Sequence, residues 1–200
     1  MKLRSGLPIV SIYHLQSENR LPISFRLFTL ADWLLWRGGE RDPGIHESLA
    51  AGTGLFDVSQ KVWSDDLFKL ASIDFQNTLL AKTVSIGSLI RCIELGVRSI
   101  QVFGGLGDLQ ATVFGTGFPD RANLVVNLGT GSQVLRAWNN IPEGIERRPG
   151  ADGRDIAAIT HIPSGRALNI YADFFNNCAI LAGGQAFFWN RFQQLTVVQL

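Results

Sequence analysis

The 200-residue sequence predicts an α/β fold made of parts of two domains, and three observations carry that expectation. From Ile86 onward the order is amphipathic helix, glycine, alternating strand, glycine loop and apolar helix, the alternation expected of α/β structure. After Phe118-Pro119-Asp120 the character changes. Two strand-like runs, Leu124–Leu128 and Gln133–Trp138, flank Gly129-Thr130-Gly131-Ser132, a hairpin by spacing. The boundary falls near residues 117–123, which divides the chain into residues 1–120 and residues 121–200.

Taken in order, Thr29-Leu30-Ala31-Asp32 opens a helix with a hydroxyl residue and an acid three places on, a capping box. The helix stops at Gly38-Gly39. Trp33 and Trp36 stand at i,i+3 spacing on its apolar face and are expected in the core rather than as a stacking platform. Ser48 to Gly54 is a turn-rich connection into Leu55-Phe56-Asp57. Ser64 caps a helix running to about Ala71, with Asp65-Asp66 as its solvated start. Ile86 to Leu95 is expected to be an amphipathic helix closed by Gly96, and Val97 to Phe103 a strand. Asn139 to Gly153 is a polar loop. A last helix spans Ala172 to Phe192, with Gly183-Gly184 in its middle or dividing it in two.

Composition narrows the classes. The hydrophobic fraction is 46% and the charged fraction 18%, values of an ordinary globular chain. A net charge of +1 argues against general nucleic-acid binding, which uses a basic stripe. No apolar run approaches the ~20 residues of a membrane span, and Met1–Gly6 is too poor in apolar residues to read as a secretory signal. Cys92 and Cys178 lack metal-site spacing. They are expected to be buried free thiols of a cytoplasmic protein, with a disulfide left open. His14, His46 and His161 are scattered, and are expected to be structural or exposed. No metal ligand is assigned, and a homo-oligomer is left open.

Two glycine loops carry the chemistry. Gly104-Gly105-Leu106-Gly107 delivers a lone carboxylate, Asp108, to the start of a helix. Asp108 can serve as the N-cap of that helix, a common use of Asp. It can also serve as a general base facing a cleft, where the helix dipole favours negative charge and phosphate oxygens. On spacing alone the cap outweighs the base. Gly129-Thr130-Gly131-Ser132 lacks the lysine and the length of a Walker A loop. It is either an ordinary turn or an anion nest of backbone N–H groups and small hydroxyls. Gly183-Gly184, before Phe187-Phe188-Trp189, reads as a close helix contact in preference to an approach for a flat adenine ring.

These residues resemble the FGGY carbohydrate kinases. Thr29–Leu35 looks like the family's Asp-aromatic-Leu helix. Ser48–Asp57 followed by Trp63 resembles its Ser-x-Ala … Thr … Phe-Asp … Trp segment. Gly105-Leu106-Gly107-Asp108 looks like the loop of the catalytic aspartate, and Gly129–Ser132 like the second phosphate loop. Gly-Asp-Leu-Gln-Ala with Gly-Thr-Gly-Ser-Gln is most similar to the sedoheptulokinase branch.

The resemblance implies an actin-like, ribonuclease-H-type ATPase fold with two domains around a cleft. It implies Asp108 as catalytic base and sugar contact, Gly129, Thr130, Gly131 and Ser132 as phosphate ligands, and Gly184 beside the adenosine. ATP and Mg²⁺ would be the cofactors and a ketose the substrate, sedoheptulose first. Xylulose, ribulose and glycerol are the alternatives. Leu109 and Phe188 depart from glycerol kinase, which has polar residues at both places. The family's Asp-x-Gly-Thr loop and closing glycine-rich motif do not occur in these 200 residues. The stretch therefore resembles the middle of a kinase, expected to be inactive in isolation, and the alternative of another class is a degenerate, non-catalytic fragment.

Overall fold

The computed structural model describes residues 6–117 and 124–196. Met1–Ser5 and the expected boundary around Phe118-Pro119-Asp120 lie outside the described residues. The chain divides into two compact units. The first is Met1–Leu124 with Arg136–Ala157, and the second is Val125–Leu135 with Ala158–Leu200. Residues 136–157 thus cluster with the first unit, and the chain passes between units within two strands.

In the first unit, α1 (Pro8–Ser17) is followed by β1 (Phe25–Arg26), α2 (Leu30–Arg37), β2 (Ile45–His46) and α3 (Glu47–Gly52). Then come β3 (Phe56–Asp57), β4 (Val62–Trp63), α4 (Asp65–Leu70), β5 (Thr78–Leu79) and β6 (Thr83–Val84). A long hairpin, β7 (Leu89–Leu95) and β8 (Arg98–Phe103), leads to α5 (Asp108–Gly115). Strand β9 (Val125–Asn127) belongs to the second unit, and β10 (Gly131–Ala137) returns the chain to the first, where β11 (Glu146–Pro149) lies. Strand β12 (Asp155–Pro163) leads back to α6 (Gly165–Leu181) and α7 (Phe188–Thr196) in the second unit.

Short parallel pairs join β1 to β5 and β2 to β6, while β3 and β4 pair antiparallel. The longest sheet has the order β11-β12-β10-β9. Its β9–β10 hairpin, expected from the spacing about the glycine turn, pairs Gln133 with Asn127 and Leu135 with Val125.

Two apolar clusters hold the first unit. Ile9, Ile12, Leu55, Phe68, Ala71 and Ile73 form one, and Ile45, Ala50, Phe56 and Ala81 the other. Trp63 packs against both. Its indole N–H donates to the Ala81 carbonyl at 3.0 Å and its ring meets Phe56 edge-on. Ser64 caps α4, accepting from the Leu67 N–H at 3.4 Å. Asp65 and Asp66 at its start are exposed and pair with Lys69.

The structure differs from the sequence expectations at several elements. Ile86–Leu95 is not a helix: Leu89–Leu95 is strand β7. Ile86, Leu89, Ile90 and Ile93 fit helical spacing, but the two-residue turn Gly96-Val97, with Gly96 at φ +61°, folds the stretch back on β8 with Leu95 opposite Arg98. Ser48–Gly54 contains a helix, α3, because His46 caps it by accepting from the Ser48 N–H. The polar loop 139–153 contains β11, and β12 follows where no element was expected. The final helical stretch starts earlier, at Gly165, and Gly183 at φ +83° divides it.

Helix α2 forms as expected but faces the other way. Its buried residue is Asp32, while Trp33 and Trp36 are 42% and 43% exposed. The Asp32 carboxylate accepts from the Thr29 N–H at 2.8 Å and from the Thr29 hydroxyl, so it enters the interior with its hydrogen bonds made. Trp36 packs on Phe28 at 5.5 Å between centroids, and the Arg37 guanidinium lies over Trp33. Cys92 and Cys178 are free thiols, as expected, but exposed. They sit on a solvent-facing hairpin strand and on the exposed side of α6. Among the described residues no helix is long and apolar enough to cross a membrane.

Phe68 is fully buried and meets Phe75 edge-on at 5.1 Å. Phe68→Ala is expected to lower stability in urea unfolding by about 3–5 kcal/mol. A loss of under about 1 kcal/mol would show that this cluster is not what holds the unit together.

Candidate functional site

Asp108 does not cap α5. Gly107 occupies the cap position and Asp108 is the first helical residue, because the extended backbone of Gly107 at φ −61°, ψ 144° already turns the chain into the helix. Asp108 is exposed, and its Oδ1 accepts from the Leu109 N–H at 2.7 Å. The carboxylate therefore stands at the open end of α5, where the peptide dipoles favour negative charge.

Three distant segments fix the loop that carries it. A Cβ on Gly105 would lie 2.5 Å from the Ala31 Cβ, so the loop backbone passes against α2 at a distance that only glycine permits. A Cβ on Gly107 would lie 2.5 Å from Gln110 Oε1 and 3.3 Å from Ser48 Oγ. The Gly107 N–H instead donates to Ser48 Oγ at 3.0 Å, across 59 residues of sequence. Gln110 in the first turn of α5 is buried and donates through Nε2 to the Pro149 carbonyl of β11 at 3.0 Å.

Ser48 is itself held by His46, whose Nδ1 lies 2.8 Å from Ser48 Oγ and 3.1 Å from the Ser48 N. His46 is a structural histidine, 4% exposed. Burial pushes its imidazole below the usual 6.5, against a hydrogen bond to the Ala151 backbone and the nearby Glu47 charge; Lys61 adds to the lowering. Glu47 and Lys61 pair with each other at 3.2 Å. The sequence leaves His46 as structural or exposed, and the structure makes it structural. The signal for it was its place two residues before a serine that opens a helix.

In the second unit, the Gly129–Ser132 turn is the cap of α6. The Gly129 carbonyl accepts from Gly165 N–H at 3.1 Å and from the Ser164 hydroxyl at 2.7 Å, and the Thr130 carbonyl accepts from Arg166 N–H at 3.1 Å. Gly129, Thr130 and Gly131 are exposed, with open space beside Gly131. Ser132 is buried, and its hydroxyl has no hydrogen-bond partner among the described residues. An exposed glycine turn backed by an unsatisfied hydroxyl suits an anionic ligand.

Gly184 lies past the far end of α6, where its N–H donates to the Ala179 carbonyl at 2.8 Å. Seventeen helical residues, about 25 Å at 1.5 Å per residue, separate it from the turn. A ligand touching both must run along the helix. Phe188 is packed among aromatic rings, stacked on Phe175 and Phe192. Among the described residues no three His, Cys, Asp or Glu side chains gather as a metal site.

Known proteins share this arrangement of elements. The xylulose kinase of Rhodospirillum rubrum matches 86% of the chain with a TM-score of 0.69 at 15% identity. The fold is the actin-like ATPase fold of carbohydrate kinases. The xylulose kinase of Bifidobacterium adolescentis matches 82% with a TM-score of 0.66, and the gluconate kinase of Lactobacillus acidophilus 77% with a TM-score of 0.60, both at 16% identity. By sequence, the glycerol kinase of Staphylococcus epidermidis is 29% identical over 125 residues, or 61% of this chain. No protein-family model matches. The chain spans 24% of that glycerol kinase and 37% of the Rhodospirillum enzyme.

Gly105→Ala is expected to cost about 1–3 kcal/mol, because Cβ atoms cannot meet at that distance and α2 must move. Ala31→Gly in the same background should return part of the loss, and a double-mutant cycle in urea measures the coupling. Simple additivity would refute the close approach. For His46, the depressed value means that the unfolded chain binds more protons than the folded one below about 6.5. Its contribution is therefore present in full above that pH and is lost as pH falls from 6.5 through the folded value. Urea midpoints compared between wild type and His46→Asn across that window check the sign.

Proposed function

We propose that this chain is part of an ATP-dependent carbohydrate kinase of the FGGY type, acting on a ketose. The observation that carries the proposal is one exposed carboxylate, Asp108, held at a helix start by a tightly packed glycine loop within a sugar-kinase fold. Support for the reading also comes from the 29% identity with a glycerol kinase.

In this reading Asp108 accepts the proton of a sugar hydroxyl as its oxygen attacks the γ-phosphorus of ATP. The bond to the bridging oxygen breaks and ADP leaves with that electron pair. Backbone N–H groups and hydroxyls of Gly129, Thr130, Gly131 and Ser132 hold the nucleotide phosphates, and Gly184 lies toward the adenosine. Mg²⁺, carried on the phosphates, would neutralise their charge. This reading assigns residues 1–120 to the substrate-side domain and residues 121–200 to the nucleotide-side domain of a cytoplasmic enzyme, with Arg136–Ala157 of the latter stretch clustering in the first compact unit.

Sedoheptulose is the first substrate to test, because Gly107-Asp108-Leu109-Gln110-Ala111 resembles the sedoheptulokinase branch. Leu109, buried beside Asp108, supplies no polar group for a small polyol such as glycerol. A panel of sedoheptulose, xylulose, ribulose and glycerol, assayed for ATP-dependent phosphorylation by the protein that contains this chain, tests the assignment. Phosphorylation of glycerol alone would overturn the ketose reading. In that protein Asp108→Asn is expected to lower turnover by roughly 10²–10⁴-fold with folding intact. Thr130→Val should mainly raise the Michaelis constant for ATP, and an effect confined to the sugar would contradict the role given to the turn.

A further inference from the structure

His46 is buried, lies 62 residues before Asp108 in sequence and is absent from the chemistry above, yet its ring ends a chain of contacts that reaches the Asp108 loop. The contacts fix where its proton sits. Nδ1 accepts from the Ser48 backbone N–H at 3.1 Å, so Nδ1 carries the lone pair. The proton of the neutral ring is then on Nε2. With Nδ1 an acceptor, the Ser48 hydroxyl 2.8 Å away turns its proton toward the ring and shares the Nδ1 lone pair with the Ser48 N–H. Its lone pairs are left for the Gly107 N–H at 3.0 Å.

That N–H belongs to the cap residue of α5, immediately before Asp108. It lies in a buried place where a lost partner is not replaced by water. We infer that His46 is a positioning residue for the Asp108 loop, acting through Ser48: its neutral Nε2–H tautomer orients the hydroxyl that holds the Gly107 N–H. What the loop is for rests on the kinase reading; the relay itself does not.

The relay requires an acceptor at the place of Nδ1, not a histidine as such. Asparagine puts its Oδ1 there and leucine puts nothing. Long-range ¹⁵N–¹H spectra of the chain are expected to show His46 protonated at Nε2 and bare at Nδ1, and the opposite tautomer overturns the inference. Amide hydrogen exchange then reads the loop. Ser48→Ala and His46→Leu should speed exchange at Gly107 by roughly tenfold or more relative to Phe68, a core amide bonded to the Ser64 carbonyl.

His46→Asn should stay near wild type. Unchanged Gly107 exchange in Ser48→Ala would overturn the relay, as would equal acceleration at Gly107 and Phe68, which marks a general loss of stability. Loss of protection in His46→Asn equal to that in His46→Leu would do the same. In the kinase assay, Ser48→Ala should lower turnover while leaving the Michaelis constant for ATP unchanged. Absence of ketose phosphorylation in wild type would count against the kinase reading alone, since tautomer and exchange are measured without it.

Discussion

The first unit is organised around places where a side chain is missing. Gly105 lets the loop backbone rest on Ala31, and Gly107 lets the next peptide reach Ser48 and Gln110. These are contacts between backbone and small groups, so they leave little room for adjustment. An extra methyl at Gly105 must displace a helix, and one at Gly107 must push aside the buried Gln110 side chain and the Ser48 hydroxyl. α2, α3 and β11 come from widely separated parts of the sequence, and each holds one point of the turn into α5. The apolar clusters around Phe68 and Phe56 keep these elements in place. The glycines decide how close they come.

The same economy explains why the family-like segment Ser48–Trp63 carries the residues it does. Thr53 closes α3 by donating to the Ala50 carbonyl at 2.6 Å and accepting from Leu55 N–H at 3.1 Å. Asp57 folds the next turn by accepting from Ser59 and Gln60 N–H groups. Phe56 and Trp63 fill the space between the clusters. These side chains make local turns and core contacts that hold α3 and the strands after it.

Much of this was legible in the sequence where a local rule had one outcome. Thr29 with Asp32, Ser64, Gly107-Asp108 and the hairpin about Gly129–Ser132 each announce an element through caps or turns, and each forms. Leu89–Leu95 is a strand where the spacing points to a helix, because its apolar spacing suits two periods and the deciding partner strand lies beyond a two-residue turn. The i,i+3 spacing of Trp33 and Trp36 points them to the core, but the structure turns that face outward. Burying the satisfied Asp32 with a small Ala31 brings α2 closer to the loop than any indole would allow. For the site, the residue types and their order pointed to Asp108 and the turn. The support from His46, Ser48 and Pro149 was hidden, because contacts across 59 and 39 residues leave no local pattern.

The glycine turn and α6 share the hydrogen bonds that the helix cannot make for itself. The carbonyls of Gly129 and Thr130 take up N–H groups at the first turn of a 17-residue helix. Fraying of that helix and loosening of the turn are therefore one equilibrium. Any ligand that binds the ordered turn more tightly than the loosened one draws free energy into the helix start, and a firmer helix start raises affinity at the turn by the same factor. The turn thus has a lever arm about 25 Å long, at whose other end Gly183 and Gly184 let the chain change direction.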